Sequence, residues 1–205
     1  LAWHWNEGVA TAAIESTDFD FVVLQERSAK PCEDAAAYHE SMLQFGKLAR
    51  DLGAIPVGYM LWERKDNPSY CPLGEISSTC ERAIQEIQKG DGLADIAPAG
   101  PAWKAMLDAR PDAALHDGDG NHSAPAGAYL AACVFHAVIH HESPEGLPAS
   151  LTPAPISPNP EGLPDAGTVA VPAADAALMQ EIAWKTASDW RRKTKAWYLK
   201  PGLRK

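Results

Sequence analysis

A chain of 205 residues, 46% hydrophobic and 22% charged, is long enough for one α/β domain with a continuous core, and its make-up is that of an ordinary soluble globular protein. A formal net charge of -9 argues against a surface built to neutralise nucleic-acid phosphates, which needs clustered Lys and Arg. No apolar run approaches the roughly 20 residues that cross a bilayer, so no membrane contact is expected.

The elements follow in order. Leu1 to Gly8 carries Trp3 and Trp5 and leads into a short helical pattern at Ala10 to Ile14. Asp18 to Leu24 is apolar, β-branched and aromatic at its centre, which predicts a buried parallel strand. Gln25, Glu26, Arg27 and Ser28 come next, at the carboxyl end of that strand, where α/β folds place their ligands. Glu33 to Leu52 spaces Ala35, Tyr38, Met42, Phe45, Leu48 and Ala49 along one helical face, and Gly53 closes it. Ile55 to Trp62 predicts the next strand, with a loop over Glu63 to Cys71 at its carboxyl end. Ile76 to Lys89 reads as a helix ended by Gly90, Leu93 to Ala97 as a short strand, and Pro101 to Leu107 as a helix that begins on its proline. Tyr129 to Val138 is an apolar helix-forming series. Ser143 to Pro172 is rich in Pro and Gly without periodicity, which predicts a wrapping loop. Ala173 to Lys195 is a last helix, with Leu178, Ile182 and Trp190 available for docking. Its basic cluster, Arg191-Arg192-Lys193 with Lys195, reads as a solvated helix end suited to the dipole. Strands alternating with helices predict a parallel sheet covered on both faces.

The densest chemistry lies between Leu115 and Leu130. Gly118 and Gly120 permit the positive backbone angles of a tight turn, so Asp119 and His122 fall on a loop at the mouth of a buried helix. Three residues apart on a turn, a carboxylate can accept from imidazole Nδ1, fix the tautomer and leave Nε2 free to take a proton from a nucleophile. A solvated turn that caps the next helix uses the same residues. Asp119-Gly120-Asn121-His122, followed by Ser123, Pro125, Gly127 and Tyr129, resembles the Asp-x-x-His block of the SGNH (GDSL-type) hydrolases. The Pro-x-Gly-x-Tyr-Leu-Ala-Ala helix after it and the strand Phe19 to Glu26 before it are similar to the bacterial branch of that family, and the resemblance runs from Leu1 to about Pro144.

The resemblance implies a three-layer, flavodoxin-like α/β fold over residues 1–144, a Pro/Gly-rich loop over 145–171 and a C-terminal helical segment over 172–205 packed on the same domain. It implies a serine esterase acting on a carboxylic ester, such as a short acyl group on a carbohydrate, with Asp119 as orienting acid and His122 as general base. Neither a metal nor an organic cofactor is implied, the partner is a small-molecule or carbohydrate ester, and no oligomeric state follows. Gln25 stands where the family's Gly-x-Asn-Asp block gives an amide to the oxyanion hole, although Gln is one methylene longer and the block glycine is absent. Glu26 braces the same loop. The family carries its nucleophile in a Gly-Asp-Ser or Gly-Asn-Ser turn after a central first strand, and no such turn occurs here. The expectation is that an N-terminal strand and helix of at least about 30 residues belong to the parent protein; Ser28 is the only well-placed local substitute. Leu1 is not an initiator Met, so a processed or truncated product is expected, and its compartment is left open, a secreted or periplasmic one being compatible.

Other readings compete. A non-catalytic carbohydrate-binding domain on the same scaffold would use the cleft and Trp3, Trp5, Trp62 and Trp103, where core packing is the commoner use of Trp. Asp117-Gly118-Asp119-Gly120-Asn121 begins like a calcium loop, but His122 stands where Gly is required and Ala128 where a Glu should close the shell. His136, His140 and His141 have helical spacing for a transition metal, yet their helix reads as internal. Cys32, Cys71, Cys80 and Cys133 lack paired zinc spacing. Cys133 reads as core, while Cys71 and Cys80 flank a short loop, where a disulfide and two free thiols are equally open.

Overall fold

The computed structural model describes residues 1–89, 94–152 and 168–194. Two short helices, α1 (Ala2–Glu7) and α2 (Val9–Glu15), precede strand β1 (Phe21–Leu24). A single turn α3 (Lys30–Glu33) runs into the long α4 (Ala35–Asp51), whose first turn is capped by Asp34 accepting from the Ala37 N–H at 3.0 Å. Strand β2 (Ile55–Tyr59), α5 (Leu73–Ile87), β3 (Asp95–Ala97), α6 (Ala99–Ala109) and α7 (Pro125–His140) follow. A two-stranded antiparallel pair, β4 (Ser150–Leu151) with β5 (Val169–Ala170), comes before α8 (Ala173–Thr194).

The sheet is parallel in the order β1-β2-β3, registered Phe21 on Ile55 and Leu24 on Gly58, then Val57 on Asp95 and Tyr59 on Ala97. Alternate side chains leave on opposite faces, so each face acquires its own core. On one side Val57 and Ala97 meet α6, α7 and α8 through Trp103, Met106, Leu130, Val134, Met179 and Ala183. On the other, Leu24, Met60 and Ile96 meet α4 and α5 through Tyr38, Met42, Phe45, Cys80 and Ile84. Helices on both faces of a parallel sheet make the three-layer, flavodoxin-like α/β fold.

Several local expectations shift. β1 begins at Phe21 instead of Asp18 and is not buried along its length: Leu24 is buried, but Val23 is 44% exposed. Among the described residues β1 has a strand on one side only, so its outer part gains less cover than a central strand would. α6 begins at Ala99 instead of Pro101, because Gly100 N–H already donates to the Met60 carbonyl at 2.9 Å. The segment read as an unstructured wrapping loop carries β4 and β5, and residues 153–167 of it lie outside the described residues. The basic end of α8 is not simply solvated. Arg191 lies 3.8 Å from the buried Asp95 and donates to the carbonyls of Ala137 and Val138, while Lys193 pairs with Glu81. Lys195 lies outside the described residues.

The cysteines pair differently from the expectation. The disulfide joins Cys32 to Cys71, with Cα atoms 5.6 Å apart, and Cys80 and Cys133 are buried free thiols. Cys80 sits on the inward face of α5, where it is fully enclosed, so it cannot turn back to a loop residue before that helix.

Candidate functional site

The loops that follow β1 and β2 and the loop before α7 converge at the carboxyl end of the sheet. A hairpin-like turn carries the pair. His116 and Ser123 form an antiparallel bridge, Asp117 N–H donates to the His122 carbonyl at 2.8 Å, and Gly120 N–H closes on the Asp117 carbonyl at 2.9 Å. Gly120 takes the positive φ of 68° that this turn demands, whereas Gly118 does not have a positive φ. The β2 loop is pinned to the turn through Lys65 N–H on the Gly120 carbonyl at 2.8 Å. Beneath it, Trp103 Nε1–H donates to His116 Nδ1 at 3.4 Å, which leaves His116 Nε2–H to donate to the Glu63 carbonyl at 3.1 Å.

Asp119 is the hub of the turn. Its Oδ1 accepts from the backbone N–H groups of Asn121 and His122, each at 2.9 Å, and its Oδ2 lies 2.5 Å from His122 Nδ1. These bonds, that from Asn121 N–H foremost and the imidazole next, hold the carboxyl well below the usual carboxylate range. An ionised carboxylate can only accept, so Nδ1 carries the proton, and the lone pair of the neutral ring is on Nε2. Among the described residues no group meets Nε2.

His122 opens on a cleft of about 330 Å³ whose wall includes Gln25, Ser28, Tyr59, Trp62 and Asn121. Trp62 Nε1–H donates to the Asn121 carbonyl at 2.9 Å, and Ser28 Oγ donates to Asn121 Oδ1 at 3.3 Å. The Gln25 side chain has no partner among the described residues and lies at the cleft wall. Burial pushes the Tyr59 hydroxyl up to about 12, so it keeps its proton. Arg27 lies on the rim, bound by Glu33, which also accepts from the Tyr70 hydroxyl at 2.6 Å. The Cys32–Cys71 bond ties this β1 loop to the β2 loop.

Sequence reasoning picked out Asp119, His122, Gln25, Glu26 and Ser28. Three of these, Gln25, Ser28 and His122, share the cleft; Asp119 reaches it only through its contact with His122 Nδ1, and Glu26 does not line it, its carboxylate instead receiving the Leu1 amino group and the Arg27 N–H. Tyr59, Asn121 and Arg27 were not singled out, although Asn121 stands between the two paired residues and Arg27 between Glu26 and Ser28. Of the four tryptophans considered, Trp62 lines the cleft. Trp103 stacks on it at 3.9 Å and is core, Trp5 packs on Phe45, and Trp3 is 65% exposed. His136 and His140 are neighbours on α7, but among the described residues no three His, Cys, Asp or Glu side chains converge as a metal would require. Among the same residues no helix is long and apolar enough to cross a membrane.

The fold defines the class first: a parallel three-layer α/β protein with its candidate site at the carboxyl end of the strands. No family model and no curated protein matches the chain. Two solved structures are similar. A DUF4886 family protein from Bacteroides uniformis superposes with a TM-score of 0.59 at 15% identity, over 96% of this chain and 71% of that one. A protein from Slackia heliotrinireducens described as "a putative SGNH hydrolase" superposes with a TM-score of 0.51 at 28% identity, over 64% of this chain and 74% of that one. The chain therefore has an SGNH hydrolase-like α/β fold.

Proposed function

We propose that this chain supplies the acid–base half of an SGNH-like serine esterase that hydrolyses a carboxylic ester, a short acyl group on a carbohydrate being the substrate class. The observation that carries the reading is the 2.5 Å contact between Asp119 Oδ2 and His122 Nδ1, on a histidine that lines a cleft. In this mechanism a serine hydroxyl attacks the ester carbonyl as Nε2 takes its proton. Asp119 stabilises the imidazolium that results. Backbone amides and the Gln25 carboxamide hold the oxyanion, and His122 returns the proton to the departing alcohol. Water then attacks the acyl-serine by the same route. The attacking serine, on this reading, belongs to a Gly-Asp-Ser or Gly-Asn-Ser turn that these 205 residues do not contain.

The test uses the whole reading frame that encodes this chain, assayed on p-nitrophenyl acetate and on acetylated sugars. His122→Ala is expected to drop turnover to background while the melting temperature holds, because the side chain is 76% exposed. Turnover that survives the substitution would sink the role.

A further inference from the structure

The proposal concerns Asn121 and rests on the esterase reading above. Asn121 is fixed at three points. Its backbone N–H is held by Asp119 at 2.9 Å, its carbonyl by the Trp62 indole at 2.9 Å, and its side-chain Oδ1 by the Ser28 hydroxyl at 3.3 Å. A carboxamide accepts at one end and donates at the other, so engaging the oxygen decides where the NH2 goes. Among the described residues nothing accepts from Asn121 Nδ2, and the residue lines the same cleft as His122 and Gln25. A donor pair held in place with no partner at the wall of a cleft is ready for a ligand oxygen.

We propose that Asn121 is a substrate-contacting residue, whose Nδ2–H groups hold an oxygen of the ester substrate, and that Ser28 is the positioning residue that sets the orientation of its amide. The chemistry of the wall indicates which substrate. Its donors, Asn121, Gln25, Ser123 and Tyr59, are all neutral, and Arg27 on the rim is occupied by Glu33. This selects a neutral, oxygen-rich ester such as an acylated neutral sugar, and it selects against a phosphate or carboxylate. Ser28 is thereby assigned to orientation: its hydroxyl proton goes to Asn121, so the serine is not delivered to His122 as an attacking group.

The whole reading frame tests this with two readouts. The first is KM and kcat on a monoacetylated methyl glucoside; the second is calorimetric binding of that compound to the His122→Ala protein. Asn121→Ala is expected to raise KM and weaken binding by about tenfold, with no loss of melting temperature. Ser28→Ala is expected to weaken both by about threefold, and Ser28→Thr to restore them. Unchanged KM and binding in Asn121→Ala would overturn the proposal. So would a Ser28→Ala protein as inactive as His122→Ala, which would make Ser28 the nucleophile. Failure of the neutral acetyl sugar to bind, or tighter binding of a monoacetylated methyl glucuronoside, would overturn the ligand class. If His122→Ala itself keeps turnover, the esterase reading falls separately, and the calorimetric comparison still decides Asn121.

Discussion

At the scale of single residues, the two oxygens of Asp119 do different work. Oδ1 holds the turn through two backbone N–H groups, and Oδ2 holds the imidazole. Asp119→Asn separates the two tasks. The amide oxygen can keep the backbone bonds, but the NH2 that replaces Oδ2 must donate to Nδ1, which forces the proton onto Nε2 and removes the base. Under the proposed esterase mechanism, turnover of the whole protein on acetyl esters is expected to fall by about 10⁴-fold with the fold intact, and nitrogen-15 spectra of His122 should show the other tautomer. The pH dependence has a definite sign. The carboxyl titrates lower in the folded chain than in the unfolded one, so its stabilisation of the turn is full above the ordinary carboxylate range and is lost only as pH falls through the depressed folded value. A rate loss that begins above the carboxylate range would thus belong to another group of the site. Asp119 and His122 were legible because their relation is local, three residues on a turn. Asn121 was not, since the hydroxyl that orients it lies 93 residues away.

At the scale of elements, the period of the apolar residues was enough to find α4, α5, α7 and α8 and the three parallel strands. Their ends moved where tertiary contacts took over. α5 begins at Leu73, three residues before the predicted Ile76, because Glu63 of the β2 loop accepts from the Leu73 N–H at 3.0 Å and caps it. The cysteine pairing was beyond the sequence for the same reason: a short loop made Cys71 and Cys80 look close, while packing of α3 against that loop brings Cys32 instead. This has a direct check. Burial pushes the thiols of Cys80 and Cys133 up to about 11, so neither should react with iodoacetamide in the native protein, and both should react once it is unfolded. Cys32 and Cys71 should react only after reduction, and non-reducing peptide maps should join those two. A Cys71–Cys80 peptide would contradict the structure. Because the bond closes a loop with a sequence separation of 39, the Cys32→Ser, Cys71→Ser double variant should lose about 2–4 kcal/mol of unfolding free energy. The β1 and β2 loops would loosen together, and with them the wall of the cleft.

At the scale of the whole molecule, chemistry and closure occupy opposite ends of the sheet. The candidate site lies beyond the carboxyl ends of β1 and β2, whereas the last helix is locked at the amino end of β3, on its first residue, Asp95. Arg191 joins three elements there: its guanidinium pairs with Asp95 at 3.8 Å and donates to the Ala137 and Val138 carbonyls at 3.1 and 3.3 Å, near the negative end of the α7 dipole. The two side chains are 15% and 3% exposed, so solvent screens the pair weakly. Losing the guanidinium takes the ion-pair partner from a carboxylate that stays buried, with the Ile96 N–H still on its Oδ1. Arg191→Ala should therefore cost about 3 kcal/mol in urea unfolding, at the lower end of what such losses reach because the contact with Asp95 is long. Replacing both partners, Arg191→Met with Asp95→Asn, should recover most of that loss. The shortfall from additivity would measure the coupling. With the site at the far end of the sheet, kcat of the whole protein, measured below the lowered melting temperature, should be unchanged in Arg191→Ala. A fall in kcat with stability preserved would mean that the end of α8 acts on the site, and the separation of the two poles would not hold.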